Sequence, residues 1–239
     1  MTYKKQMEKA IKEYLAPYGF KYSTKHYAFV KKINEDMTQW ITWAGETHFR
    51  KQYYFLRTSA VVSSNLLYAI LAEVTNGLTD FRCGYCSPAY LTTLDGKNVI
   101  HTEFIGERSM EDNIPEFDQM FKQDINSVFD KFSTTKSVIL SPIKEPFFNP
   151  YNTPNVFFYV PLAYYFNGEF NKALEYIDER LEICKATEPM ILSRYGVLGE
   201  EDINERKAYI LYKENLKKWI AEGRQFKIDN EYLPITDQR

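Results

Sequence analysis

Glycine and proline are scarce in this chain, 10 of each in 239 residues, or roughly 8% together against about 12% in average usage. That scarcity excludes a collagen-like, low-complexity or linker-rich chain. Cysteine is rarer still: there are three, and an odd number in a long chain fits reduced thiols better than a disulfide framework. An excess of either charge is also missing. Thirty basic residues stand against 32 acidic ones, a formal net charge of -2, and that balance removes the electrostatic footprint of a general nucleic-acid binder. No long hydrophobic run exists, because the longest, residues 156–166, contains Pro161 and falls well short of the ~20 residues that span a bilayer. Residues 1–10 carry positive charge with no apolar segment behind them, so the expectation is no secretory signal and a cytoplasmic location. What the chain does have is apolar mass: 44% hydrophobic residues, including 19 Tyr and 17 Phe, enough for a sizeable core.

The periodicity of that mass changes along the chain. Tyr3, Met7, Ala10, Ile11 and Tyr14 recur at helical spacing behind Thr2 as a cap, which predicts a helix over 3–15. From Phe20 the period is two: residues 21–22 and 26–32 read as a hairpin, followed by strands at 39–44 and 52–62 in an antiparallel meander. Ser63-Ser64-Asn65 then caps a short apolar helix that closes near Asn76-Gly77. Strands at 90–94 and 99–104 flank Asp95-Gly96, a dipeptide suited to a tight hairpin turn. Asn113-Ile114-Pro115-Glu116 resembles a capping box opening a helix to about Phe132. Residues 133–154 hold four prolines and little periodicity, and residues 155–160 should be extended ahead of Pro161. Helical stripes return with Phe170, Ala173, Leu174, Ile177, Leu181 and Cys184, and with Tyr209, Tyr212, Leu216, Trp219 and Ile220. Glu200-Glu201-Asp202 begins the last helix and Lys217, Lys218 and Arg224 end it, the order that complements the helix dipole.

These elements predict an α+β fold with two parts: residues 1–135 as an antiparallel-sheet domain, and 136–239 as a proline-containing connection and a helical subdomain. In residues 40–43 and 53–62 both alternating sets of side chains are apolar or aromatic, so neither face of the sheet is expected to be wet. The helices at 3–15 and 113–132 are expected on one face and the C-terminal helices on part of the other.

Residues able to carry chemistry are few. Cys83-Gly84-Tyr85-Cys86 has the spacing of a disulfide-exchange site or of half a zinc site. Its flanks are wrong for the first, and Cys184, His26, His48 and His101 offer no second close pair for the other, so structural thiols are the plainer account and no cofactor is expected. His101, beside Glu103 in a strand, suits a general base if a carboxylate orients it, or an ordinary hydrogen-bonded strand histidine. No GxSxG, Walker, GxGxxG or HExxH motif occurs. Trp40, Trp43, Tyr53, Phe55 and Arg57 make up a stacking surface for a sugar, a base or a partner's side chain, or else core packing.

Two stretches resemble known families. The segment 11–21 with its Gly19-Phe20-Lys21 turn, followed by 27–32 and an aromatic strand at 38–44, resembles a bacterial family of unknown function that opens with a helix, this turn and an antiparallel sheet. The resemblance covers about the first 100 residues and implies a small α+β module. Some families of this general kind act as immunity proteins beside toxin genes. Residues 163–181, with Tyr164, Gly168, Phe170 and Ala173, are similar to one tetratricopeptide repeat. They depart from it at Arg180, Lys185 and Pro161, and no second copy follows, which implies a lone helical hairpin.

The leading expectation is therefore a non-catalytic module that binds a protein partner through one face of its sheet, with no membrane span and no general nucleic-acid binding. An enzyme or small-molecule binder with a cleft between sheet and C-terminal helices, using His101, is the alternative. A thiol or zinc protein centred on Cys83 and Cys86 is a further one.

Overall fold

The computed structural model describes residues 2–48, 53–78, 89–90, 100–106, 108–144 and 156–234, with the backbone alone at 44–48, 53–55, 89–90 and 156. The expected turn at Asp95-Gly96, Cys83, Cys86 and the side chain of His48 lie outside the described residues. The chain divides into two compact units. One comprises Met1–Ser63, Ser87–Ser133 and Phe147–Asn152; the other comprises Ser64–Cys86, Thr134–Pro146 and Thr153–Arg239. Residues 64–86, which the sequence pattern groups with the sheet, cluster with the second unit.

The first unit is α+β. Helix α1 (Tyr3–Leu15) buries Met7, Ile11 and Leu15 on one stripe, and a 3-10 turn (Ala16–Tyr18) ends at Gly19, whose φ of 85° suits a residue without a Cβ. Strands β1 (Lys21–Ser23), β2 (Ala28–Lys32), β3 (Met37–His48) and β4 (Tyr53–Ser64) follow in an antiparallel meander. Residues 91–99, most of the expected second hairpin, lie outside the described residues. β5 (Ala89–Tyr90) pairs with β4 at Ala60 and Val61, and β6 (His101–Ile105) pairs with β4 along Tyr53 to Arg57.

Cross-strand partners share a face of a sheet. One face carries Phe29 opposite Ile41, Leu56 opposite Thr102, and Phe104, all buried. Helix α3 (Met110–Met120) packs on it through Phe117, whose ring lies 6.4 Å from that of Phe104, and α1 packs beside α3 through Tyr14, edge-on to Phe117 at 5.3 Å. The helices at 3–15 and 113–132 thus cover one face. The other face is mixed: Ala28 and Val61, both buried, lie on it with Thr38, Thr42, Ser59 and Ser63 around Trp40, and with Arg57, His101 and Glu103 further along. The period of two places the hydroxyl side chains on the same side as Trp40.

The helix at 113–132 begins earlier than the sequence pattern suggests. Ser109 is its N-cap, its Oγ accepting from the Asp112 N–H at 3.1 Å. Asn113 lies inside the first turns, fully buried. Its carboxamide acts as a strand partner, accepting from the Ile105 N–H at 2.9 Å and donating to the Ile105 carbonyl at 3.1 Å, while the Tyr3 hydroxyl donates to that carbonyl at 2.9 Å. One end of β6's outer edge is closed in this way. After Met120 the helix widens into a π-helical turn, Phe121–Ile125, and continues as α4 (Asn126–Lys131).

The second unit is mainly helical: α2 (Asn65–Val74), α5 (Thr135–Lys144), α6 (Val156–Phe166), α7 (Phe170–Tyr195) and α8 (Glu200–Ala221), with a small hairpin of β7 (Phe226–Ile228) and β8 (Glu231–Leu233). Two expectations are corrected here. Residues 135–144 are helical despite Pro142, because the Asp229 carboxylate accepts from the N–H groups of Thr135 at 3.3 Å and Lys136 at 2.6 Å and caps the helix from a distance of over 90 residues. Residues 156–160 are helical despite Pro161, and the Tyr212 hydroxyl donates to the Phe158 carbonyl at 2.9 Å in the turn that the proline disturbs. α2 docks on α8 through Asn215, which donates to the Val74 carbonyl at 2.9 Å. Arg224, lying against Trp219 and Phe226, holds Glu73 with two bonds of 2.6 and 2.9 Å. No described helix is long and apolar enough to cross a membrane.

Candidate functional site

The aromatic residues proposed from the sequence as one stacking surface are separated by the pleat. Trp43 faces the helix-covered side, 6.3 Å from Phe29. Trp40 is on the opposite side, half-buried, edge-on to His26 at 5.2 Å, and its indole N–H donates to the Ser63 hydroxyl at 2.7 Å. Ser63 itself bonds the Thr38 carbonyl, and Thr42 bonds Ser59. This end of the face is therefore occupied with its own hydrogen bonding. Tyr53 and Phe55 stand in β4 opposite Ile105 and Glu103, their side chains outside the described residues. Arg57 stands opposite His101, and both side chains are exposed.

His101 leads to a more promising place. Between β6 and the helix running from α3 into the π-turn lies an open hollow of about 340 Å³, at the small end of the roughly 300–1,000 Å³ typical of ligand sites. His101, Thr102 and Glu103 of β6 form one wall. Glu116, Gln119, Met120, Gln123 and Asp124 form the other. The helical set has spacing i, i+3, i+4, i+7, i+8, one face over about two turns, hence roughly 12 Å long. Gln123 and Asp124 belong to the π-turn. A π-turn re-aims the side chains after it, and such turns recur at functional sites.

The floor is closed by Thr102 and Met120, both buried. The rim is polar: Arg108 pairs with Glu116 at 3.0 Å, and the Gln119 amide donates to the Gln123 carbonyl at 3.3 Å. Glu103, Glu116 and Asp124 bring carboxylates to the hollow, with Glu116 held by Arg108 and the Gln123 carbonyl by Gln119. Among the described residues no group of three His, Cys, Asp or Glu is placed to hold a metal ion. The hollow is built entirely from the first unit.

Of the residues singled out from the sequence, His101 lines the hollow and Arg57 is its cross-strand neighbour. Glu116, Gln119, Gln123 and Asp124 were not legible as site residues, because polar residues at helical spacing opposite an apolar stripe read as a solvated face. Only the placement of β6 beside them makes that stripe a wall.

Comparisons with family models, curated proteins and solved structures find nothing that matches this chain.

Proposed function

We propose that the chain is a non-catalytic interaction module that receives a protein partner at the hollow between β6 and the α3 helix. The observation that supports this is the hollow's construction: a strand that is outermost among the described residues, a helix face running beside it, and a π-turn directing polar groups into the gap. A strand with a helix alongside offers an extended segment both backbone pairing and side-chain subsites. Immunity-type binding, in which a partner is neutralised by being covered, is the form of this reading that the resemblance of the first 100 residues suggests.

The test is affinity capture from native lysate with the full chain. The wild type is expected to retain a protein that Gln119→Arg/Gln123→Arg loses, while Lys207→Glu on α8 keeps it. Equal retention by all three chains would overturn the proposal. A second reading has one observation in its favour, namely that His101 shares the hollow with Glu103 and Glu116: a small molecule held there would have an imidazole and carboxylates within reach for proton transfer.

A further inference from the structure

The near-neutral total charge conceals an uneven distribution. Residues 1–32 hold eight lysines against two glutamates, whereas the other 207 residues hold 22 basic side chains against 30 acidic ones. The balance over the whole chain therefore leaves room for a local site that receives a polyanion. We infer that the surface formed by α1 and the turn between β1 and β2 binds single-stranded nucleic acid, its lysines meeting phosphates and its tyrosines stacking on bases. This surface shares no residue with the hollow and does not rest on the reading of it.

Three observations carry the inference. The first is cations left unopposed. Lys4, Lys5 and Lys12 on α1 and Lys25 in the turn are exposed, and none is ion-paired among the described residues. Lys9, between them, is shared with Glu13 at 3.6 Å. Counting Glu8 and Glu13 against these five lysines still leaves three positive charges on one side of a helix of 13 residues.

The second is that rings stand among the cations. The Lys12 ammonium lies 4.4 Å from the centre of the Tyr22 ring. Burial first, then Glu8 and Tyr27, raise the Tyr22 phenol while Lys4 lowers it, so Lys4 and Glu8 of α1 and Tyr27 of the turn share a neighbourhood with Tyr22. Basic side chains interleaved with aromatic faces are the means by which proteins hold single strands.

The third is Tyr27 itself. Its φ of 50° lies in the left-handed region that a bulky residue rarely occupies, and its ring is 74% exposed. The fold spends backbone strain on a ring that packing does not use. Strain of that kind is characteristic of ligand-facing positions.

These observations favour one class of polyanion. An acidic peptide would engage the lysines and leave the rings idle. An anionic lipid surface would call for an apolar stripe, and that of α1, Met7, Ile11 and Leu15, is buried in the core. A duplex keeps its base faces stacked inside. Only a single strand offers phosphates and free base faces together.

The experiment is fluorescence anisotropy of the full chain with labelled oligo-dT and oligo-U of about 12 nucleotides, within the usual range of site sizes. Saturable binding of either strand is expected, with log affinity falling against log salt at a slope of about -2 to -3, as for three or four phosphates neutralised. Lys5→Gln/Lys12→Gln should reduce that slope by about 1.4, while Lys217→Gln/Lys218→Gln, an equal change of charge on α8, leaves it unaltered. Tyr27→Phe should keep the affinity. Tyr27→Asn, a residue that tolerates the left-handed backbone, should lower it about fivefold or more. Absence of saturable binding, indifference to Tyr27→Asn, an equal effect of the α8 substitutions, or a duplex bound as tightly as the single strands would overturn the inference. Binding of polyglutamate or of phosphatidylserine vesicles in place of the oligonucleotides would overturn it too, and would assign the lysines to an acidic protein or to a lipid surface.

Discussion

The two units solve the problem of burying aromatic rings in different ways. The first fills its core with phenylalanine: Phe20, Phe29, Phe104, Phe117, Phe121, Phe129 and Phe132 are all buried; buried Asn113 is its main polar tie, and the bond from the Tyr14 hydroxyl to Asp118 at 2.6 Å sits at the margin. The second buries whole tyrosines. Tyr165, Tyr209 and Tyr212 are fully inside, and the hydroxyls of Tyr165 and Tyr212 donate to backbone carbonyls of Arg224 and Phe158. Burial pushes the Tyr165 phenol up to about 12 and the Tyr212 phenol well above its ordinary value, so both remain neutral donors. A core of the first kind is specified by volume. One of the second kind is specified by volume and by hydrogen-bond geometry together, since a buried polar atom without a partner is costly.

Deleting volume from the first unit is the most severe way to test the comparison. Phe117→Ala removes the ring between Phe104 and Tyr14 and should cost about 3–5 kcal/mol. Urea denaturation should show it, with hydrogen exchange accelerating in β4, β6 and α3. A loss below about 1 kcal/mol would mean that the helix does not seal the sheet. In the second unit the informative change removes a hydroxyl and no volume. Tyr212→Phe leaves the Phe158 carbonyl without that donor beside Pro161 and should cost about 1–2 kcal/mol. A neutral result would reduce the contrast between the two cores to one of residue type.

The fold was legible in the sequence where periodicity is local and hidden where distant residues complete an element. The meander of β1 to β4 and the helices α1, α7 and α8 follow from spacing alone. α5 does not, because its cap is Asp229, and nothing in residues 133–154 announces that partner. The hairpin of β7 and β8 went unread, although Asp229 and Asn230, both left-handed with φ of 48° and 68°, are the residue types that tolerate such a turn. At the site, His101 was legible as a titratable residue in a strand. Its surroundings were not, since they depend on β6 pairing with β4, more than 40 residues away in sequence, and lying beside the α3 helix. Trp40 and Trp43 illustrate the opposite error. Both are aromatic and close in sequence, yet three positions along a strand place them on opposite faces.

The smallest expected effect separates the margin of the first unit from its core. Asp118 is held below the usual carboxylate range, first by its bond with Lys122 and then by the Tyr14 hydroxyl. Its folded value lies under its unfolded one of about 3.9, so the stabilisation it provides is fully present above that unfolded value and is lost as pH falls through the folded one. Partial exposure and salt screening keep it below about 1 kcal/mol. Wild type and Asp118→Asn should therefore differ slightly at neutral pH and converge in acid, as read from urea midpoints across the pH range, with Phe117→Ala remaining far less stable than either throughout. If Asp118→Asn instead cost as much as Phe117→Ala at neutral pH, the bond from Tyr14 to Asp118 would rank with the phenylalanine core in holding α1 to α3, and the contrast between a volume-specified unit and a hydrogen-bond-specified one would not survive.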